Sequence, residues 1–234
     1  MKSLLVSKMI FVENIDLYNP AKRIYTFLNP VSYLDALSHR ELFNSFDGIF
    51  ADGSLLVAAI RLVYGKKVTR RSFDMTSIAP QLFNYASTNH KSIYIVGAKQ
   101  EQVEKAVAIW RNNYKELKIA GYRNGYFKND EEIGQEIKHI VEMAPDFLIV
   151  GMGAVLQEEF LLKAKLAGFC GIGFTCGGFI HQTSKSEIDY YPDWIDRMNL
   201  RFLYRIYKEP HTRKRYLKAG LLFPVRFIYE RFFG

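Results

Sequence analysis

Short apolar runs alternate with longer amphipathic stretches along this chain, and no other feature constrains its fold as much. Met9–Val12, Arg23–Leu28, Gly48–Ala51, Ser92–Val96, Leu117–Ala120, Asp146–Val150 and Phe169–Phe174 read as strands. Between them, Pro30–Phe43, Ser54–Val63, Met75–Ser87, Glu101–Tyr114, Asp130–Glu142 and Gln157–Ala167 read as helices. A strand of uninterrupted apolar residues has to be covered on both faces. The expected fold is therefore α/β, with a Rossmann-like, mostly parallel sheet and helices on both faces. After Pro192 only helical patterns remain, at Asp193–Tyr207, Pro210–Leu217 and Leu221–Phe233. This divides the chain into an α/β domain over 1–186 and a helical, basic C-terminal appendage over 187–234.

The net charge of +8 is placed unevenly. From Arg197 to Gly234 there are ten Lys or Arg and two acids, whereas the preceding 196 residues balance at 22 of each sign. A neutral body with a basic end points to an anionic partner: a membrane surface, nucleic acid or phosphate. The two cysteines, Cys170 and Cys176, make neither a C-x-x-C pair nor a distant staple, which fits a reduced, cytoplasmic setting. Lys8 interrupts the apolar N-terminus, so no signal peptide is expected. No run reaches the ~20 apolar residues of a membrane span, so membrane contact is expected to be peripheral.

Glycines follow several strand ends, at Gly97, at Gly151 and Gly153, and at Gly171 and Gly173 leading to Gly177 and Gly178. Ligands of open α/β sheets bind beyond the carboxyl ends of the strands, where glycine lets backbone N–H groups approach a phosphate. Taken singly, each glycine is better explained by simple turn geometry; three such turns in one chain point to a nucleotide or phosphate site. No P-loop motif is present, and no G-x-G-x-x-G opens a helix after an early strand, which disfavours a P-loop NTPase or an ordinary dinucleotide enzyme. Asp52 follows a strand. It is placed either to act as a general base or to cap the helix that starts at Ser54. Gln157 and Glu158 open a helix, where they either grip a sugar or ribose hydroxyl or complement the helix dipole. The five histidines are scattered singly and no H-E-x-x-H or D-x-D occurs, so no metal site is expected.

A set of segments in fixed order resembles the TagA/WecG/CpsF family of bacterial glycosyltransferases, from about Phe27 to Leu217. They are Leu28-Asn29-Pro30, Ala51-Asp52-Gly53, Arg71-Ser72-Phe73-Asp74, IYIVGAKQEQVEKA from Ile93, and Gly125-Tyr126-Phe127. PDFLIVGMGAVLQEEF from Pro145, Gly177-Gly178-Phe179, Pro192-Asp193-Trp194 and LYRIYKEPHTRKRYL from Leu203 follow. The resemblance implies a UDP-sugar donor, an undecaprenyl-diphosphate-linked acceptor, and inversion at the anomeric carbon with no required metal or other cofactor. It assigns the base to Asp52 and puts Gln157 and Glu158 near the donor. Asn29 and Asp74 join the substrate-binding set, and the turns at Gly97, Gly151, Gly153, Gly177 and Gly178 are expected to surround the nucleotide-sugar because the strand ends converge on one edge of the sheet. Arg205 and Arg213 are candidates for the diphosphate, or else charges facing a membrane. The appendage is expected to meet the anionic inner face of the cytoplasmic membrane and to complete the site. The chain departs from the family pattern at Phe27, Phe73, Ala154-Val155-Leu156, His181, Tyr190-Tyr191 and Arg201-Phe202, which leaves the transferred sugar open.

Two other readings compete. One is a nucleic-acid-binding module built on the basic tail, but Leu221, Leu222, Phe223, Val225, Phe227, Ile228, Phe232 and Phe233 crowd its charges and suit a membrane interface better. The other is an inactive scaffold of the same family. For the tail itself, membrane anchoring, packing on the core and a homo-oligomer interface all remain open.

Overall fold

The computed structural model describes residues 4–9, 22–186, 195, 201–208, 210 and 213–233. Six strands form one parallel sheet: β1 (Arg23–Leu28), β2 (Gly48–Ala51), β3 (Ser92–Gly97), β4 (Lys118–Arg123), β5 (Phe147–Gly151) and β6 (Ile172–Thr175). Their spatial order is β2-β1-β6-β5-β3-β4. Because every pairing is parallel, all six carboxyl ends meet at one edge of the sheet. This bears out the expected α/β class.

The strands sort their side chains with a period of two. Tyr25, Phe50, Ile95, Phe147, Ile149 and Phe174 face one layer of helices, α5 (Ile78–Thr88), α6 (Gln100–Asn113) and α9 (Phe179–Ser186). Ile24, Tyr94, Val96, Leu148 and Val150 face α7 (Asp130–Met143) and α8 (Leu156–Leu166). On that same side, beside β2, Leu28, Ile49 and Ala51 pack with α1 (Leu4–Ser7), α2 (Pro30–Ser38), α3 (Arg40–Asn44) and α4 (Ser54–Tyr64). The appendage contributes α10 (Arg201–Lys208) and α11 (Arg213–Phe233).

Besides the short helix α1, which the sequence reading does not contain, four elements differ from it. The helix over Pro30–Phe43 breaks at His39, whose φ of −130° and ψ of 41° are not helical. Met9 makes a single parallel bridge to Ile49, and residues 10–12 of that expected strand lie outside the described residues. Helix α9 was not anticipated, because Gly177-Gly178 and the polar run after it look like turn and loop. It is held by Phe179, which stacks on Trp110 at 5.2 Å, and by buried Ile180. Finally, α11 runs through Pro224 as one helix. Its buried residues Ala219, Phe223, Phe227 and Glu230 fall on one stripe across the proline, so docking outweighs the backbone bond that proline removes.

Helix α11 packs on α2 and α4. Phe223 and Phe227 surround Tyr33 with ring centroids 5.5 and 5.2 Å apart, and Phe227 also meets Tyr64. Glu230 is buried and pairs with Arg40, and Arg215 reaches Asp35 at 3.1 Å. The opposite face exposes Leu217, Leu221, Val225, Ile228 and Phe232, with Lys214 and Lys218 nearby. Both the core-packing and the open-surface readings of the tail therefore have a face of their own. Among the described residues, no helix is long and apolar enough to cross a membrane.

Candidate active site

A closed polar network lies where β1 and β6 meet the start of α8. The Thr175 hydroxyl donates to Thr26 Oγ1 at 2.9 Å, and the Thr26 hydroxyl donates to Glu158 Oε1 at 2.7 Å. Gln157 Nε2 donates to the same oxygen at 2.9 Å, and the Val155 N–H donates to Glu158 Oε2 at 2.7 Å. Gln157 Oε1 in turn accepts the Gly177 N–H at 3.0 Å. All four side chains are buried, Glu158 to 1% exposure. Burial pushes the Glu158 carboxyl above the ordinary carboxylate range, and the bonds from Thr26, Gln157 and Val155 offset part of that rise. The side chains of Gln157 and Glu158 are thus turned into the fold, where they fix the turns that a ligand would meet. Glu158 also holds Val155 at φ 74°, a left-handed conformation costly for a β-branched residue.

The glycines at this edge fall into two kinds. A Cβ on Gly97 would stand 2.4 Å from the carbonyl oxygen of Gly151, and one on Gly151 would stand 2.7 Å from Cys176 Sγ. Gly125 is similarly packed against Met152 and Gly97. These glycines let the loops approach one another. Gly153 (φ 86°) and Gly177 (φ 54°) also have left-handed backbones, but a Cβ on either would meet nothing within 4 Å. Their backbones border open space beside the N-termini of α8 and α9, where helix dipoles favour an anion. Gly178 lies between Gly177 and α9, and its carbonyl accepts the Gln182 N–H.

At the ends of β1 and β2 the polar groups are less enclosed. Leu28 is in register with Ala51, so Asn29 and Asp52 leave the sheet side by side. The Asp52 N–H donates to the Leu28 carbonyl at 2.7 Å. Gly53 occupies the cap position of α4, so Asp52 stands one residue outside the helix, half-buried. Asn29 caps α2, its Oδ1 accepting the N–H groups of Val31 and Ser32. Asp74 shapes the turn into α5 by accepting both the N–H and the hydroxyl of Thr76, at 2.9 and 2.6 Å.

Two neighbours were not singled out from the sequence. The Arg71 N–H donates to the Ala51 carbonyl at 2.9 Å, which places this arginine next to Asp52, and its Nε is buried without a hydrogen-bond partner among the described residues. Tyr126 is 67% exposed at the same edge, yet its loop is rigidly held. The Tyr126 N–H donates to Asn124 Oδ1 at 2.9 Å, Asn124 bonds Gln100, and Arg123 lies 4.0 Å over the Phe127 ring. The only signal for either was its place in a segment shared with the family.

Arg213 starts α11, and its Nε donates to the Ile206 carbonyl of α10 at 2.9 Å. The side chain of Arg205 lies outside the described residues. His181, displaced by one residue from the place of the family pattern's acid, bonds Gln102 at 2.7 Å and ties α9 to α6. Among the described residues, no group of three His, Cys, Asp or Glu is arranged to hold a metal ion.

Comparison with known proteins places this edge in a chemical context. The profile of the glycosyl transferase WecG/TagA/CpsF family matches residues 7–234. A UDP-Gal:alpha-D-GlcNAc-diphosphoundecaprenol beta-1,4-galactosyltransferase of Shigella boydii is 38% identical over 88% of this chain and 86% of its own length. An N-acetylglucosaminyldiphosphoundecaprenol N-acetyl-beta-D-mannosaminyltransferase of Bacillus subtilis (strain 168) is 27% identical over 83% of this chain and 75% of its own. A protein of the same description from Bacillus spizizenii is 24% identical over 76% and 67%.

Proposed function

The chain belongs to the WecG/TagA/CpsF family of glycosyl transferases, and from that premise we propose that it moves a hexose from a UDP-sugar onto a sugar linked through diphosphate to a polyprenol. The chain is a hexosyl- or N-acetylhexosaminyltransferase, as its relatives are. The observation that carries the finer reading is the pairing of Asn29 and Asp52 at the ends of β1 and β2, at the same sheet edge as the open turns at Gly153 and Gly177.

In this reading the donor's diphosphate lies along the Gly153 and Gly177 turns. Tyr126 offers a flat, preorganised face at the rim for the nucleotide. The acceptor hydroxyl attacks the anomeric carbon from the side opposite UDP. Its oxygen forms the new glycosidic bond while the bond to the UDP oxygen breaks, and Asp52 takes the proton. UDP leaves carrying the developing negative charge, which helix N-termini and arginines, Arg205 and Arg213 among them, are suited to offset. The proposal routes no step through a metal, and full turnover in a chelator is the corresponding expectation.

Galactose is the first donor to try, because the galactosyltransferase shares more identity than the two N-acetylmannosaminyltransferases. The outer face of α11, apolar with lysines near one end, suits the headgroup boundary of an anionic membrane and supports peripheral association at the cytoplasmic face. The full chain, assayed with a panel of UDP-sugars against a GlcNAc-diphospholipid, is expected to give one disaccharide product, with galactose transferred fastest. Absence of transfer from every donor would overturn the reading.

A further inference from the structure

We propose that the loop over residues 66–71 is a receptor for a diphosphate ester, the one carried by the acceptor, and that it fixes the direction from which the acceptor enters. The inference rests on the transfer reading above and adds a site to it.

Charge is the first observation. Between Gly53 and Gln100 there are seven Lys or Arg and one acid, Asp74. Four of the cations, Lys66, Lys67, Arg70 and Arg71, fall within six residues. The balanced charge of the body as a whole hides this cluster.

Position is the second. The Arg71 N–H donates to the Ala51 carbonyl, which belongs to the last residue of β2. Ala51 has the same parity as Ile49, whose N–H donates to the Lys8 carbonyl rather than to β1, so the backbone groups of both residues point away from β1. The loop therefore flanks the outer side of β2, immediately beside Asp52. Two polar atoms here, Arg71 Nε and Ser72 Oγ, are buried with no hydrogen-bond partner among the described residues, and Ser72 is only 4% exposed. Buried donors without partners are costly, and phosphate oxygens are the acceptors that arginine and hydroxyl groups bind best.

Strand order supplies the direction. The open turns at Gly177 and Gly153 follow β6 and β5, on one side of β1, and the loop lies beyond β2 on the other. Inversion requires the attacking oxygen to approach opposite the leaving UDP, so the acceptor extends from Asp52 away from the donor, toward the loop. In an acceptor pyranose that attacks through its 4-hydroxyl, its own anomeric carbon is at the far end of the ring. Its diphosphate then falls one ring beyond Asp52, at the cationic loop.

The test uses the full chain and two soluble acceptors: GlcNAc-diphosphate on a short alkyl chain, and the same sugar as a phosphate-free alkyl glycoside. Short chains remove the membrane from the measurement. Lys67 is exposed, so Lys67→Glu should leave the fold intact; Lys67→Ala/Arg70→Ala is the second variant. Both are expected to raise the KM for the diphosphate acceptor roughly tenfold or more, the worth of one charge-assisted contact. The KM for the glycoside and for the UDP-sugar should stay within about twofold. An unchanged acceptor KM would overturn the proposal. A rise in donor KM instead would assign the loop to the donor's diphosphate and overturn it equally. If the wild type transfers nothing, the transfer reading has failed rather than the loop. Calorimetric binding of the alkyl diphosphate then decides, with weaker binding to Lys67→Glu expected and equal binding contradicting the site.

Discussion

The two halves of the strand-end edge use polar residues in opposite ways. Around β5, β6 and α8, Thr26, Thr175, Gln157 and Glu158 are buried and satisfy one another, and Gly97 and Gly151 are spent on close approach of loops. Around β1 and β2, Asp52 is half-buried just outside its helix, and Arg71 brings a buried Nε with no hydrogen-bond partner among the described residues. A polar group whose hydrogen bonds are complete within the protein builds the frame, and one left incomplete is available to a substrate. On that basis Gln157 and Glu158 belong to the frame of the proposed site, and the buried Nε of Arg71 is the group left available to a substrate.

The sharpest way to break this contrast is to attack the closed half. Glu158→Ala removes the shared acceptor of Thr26, Gln157 and the Val155 N–H. A loss of about 3–5 kcal/mol is expected in denaturant unfolding, from three donors of a buried network left without an acceptor at about 1–3 kcal/mol each. A cost under about 1 kcal/mol would mean that the network does not hold the edge together.

The glycines offer an intermediate test. Gly151→Ala forces a Cβ to within 2.7 Å of Cys176 Sγ and should destabilise the protein by about 1–3 kcal/mol, as overpacking does. Gly153→Ala meets open space, so only its positive φ resists, at about 1 kcal/mol. Its main effect should appear as a raised KM for the UDP-sugar. The same stability loss from both variants, with donor KM unchanged in the second, would erase the distinction between packed and open glycines.

The smallest effect separates the carboxyl edge of the sheet from its amino edge. At the amino edge, burial alone would raise the Asp146 carboxyl, but the Ser92 N–H, Lys91 and the Ser92 hydroxyl outweigh it and hold it below the ordinary range. Its contribution to stability is present above the unfolded carboxylate value of about 4 and is lost as pH falls through the lower folded value. Glu158 is shifted the other way, so its contribution is present below the unfolded value and lost as pH rises through the folded one. Asp146→Asn should therefore flatten the acid limb of the stability profile and leave the limb above pH 5 unchanged. A flattened upper limb would reverse the assignment.

Much of this architecture is readable from residue order. The central strands carry apolar runs such as Phe147–Val150, which only burial on both faces explains, and the glycines behind them mark the edge where ligands bind. Contacts between residues far apart in sequence are not readable. Gly97 and Gly151, or Glu158 and Thr26, meet only in the folded sheet, so packed and open glycines look alike in sequence, as do buried and exposed acids. The continuity of α11 was masked by Pro224, and α9 by its polar residues Gln182 to Ser186. Arg71 became conspicuous only once its backbone was seen beside Ala51.

The central claim is that Asp52, on the open half, is the general base of sugar transfer. Asp52→Asn keeps the size and shape of the side chain and removes its ability to take a proton at neutral pH. Single-turnover transfer from the preferred UDP-sugar to the GlcNAc-diphospholipid, with UDP affinity measured on the same preparation, tests this directly. The account predicts a rate lower by ~10²–10⁴ with UDP affinity within about twofold of wild type. Transfer at a near-normal rate with UDP bound normally would contradict it.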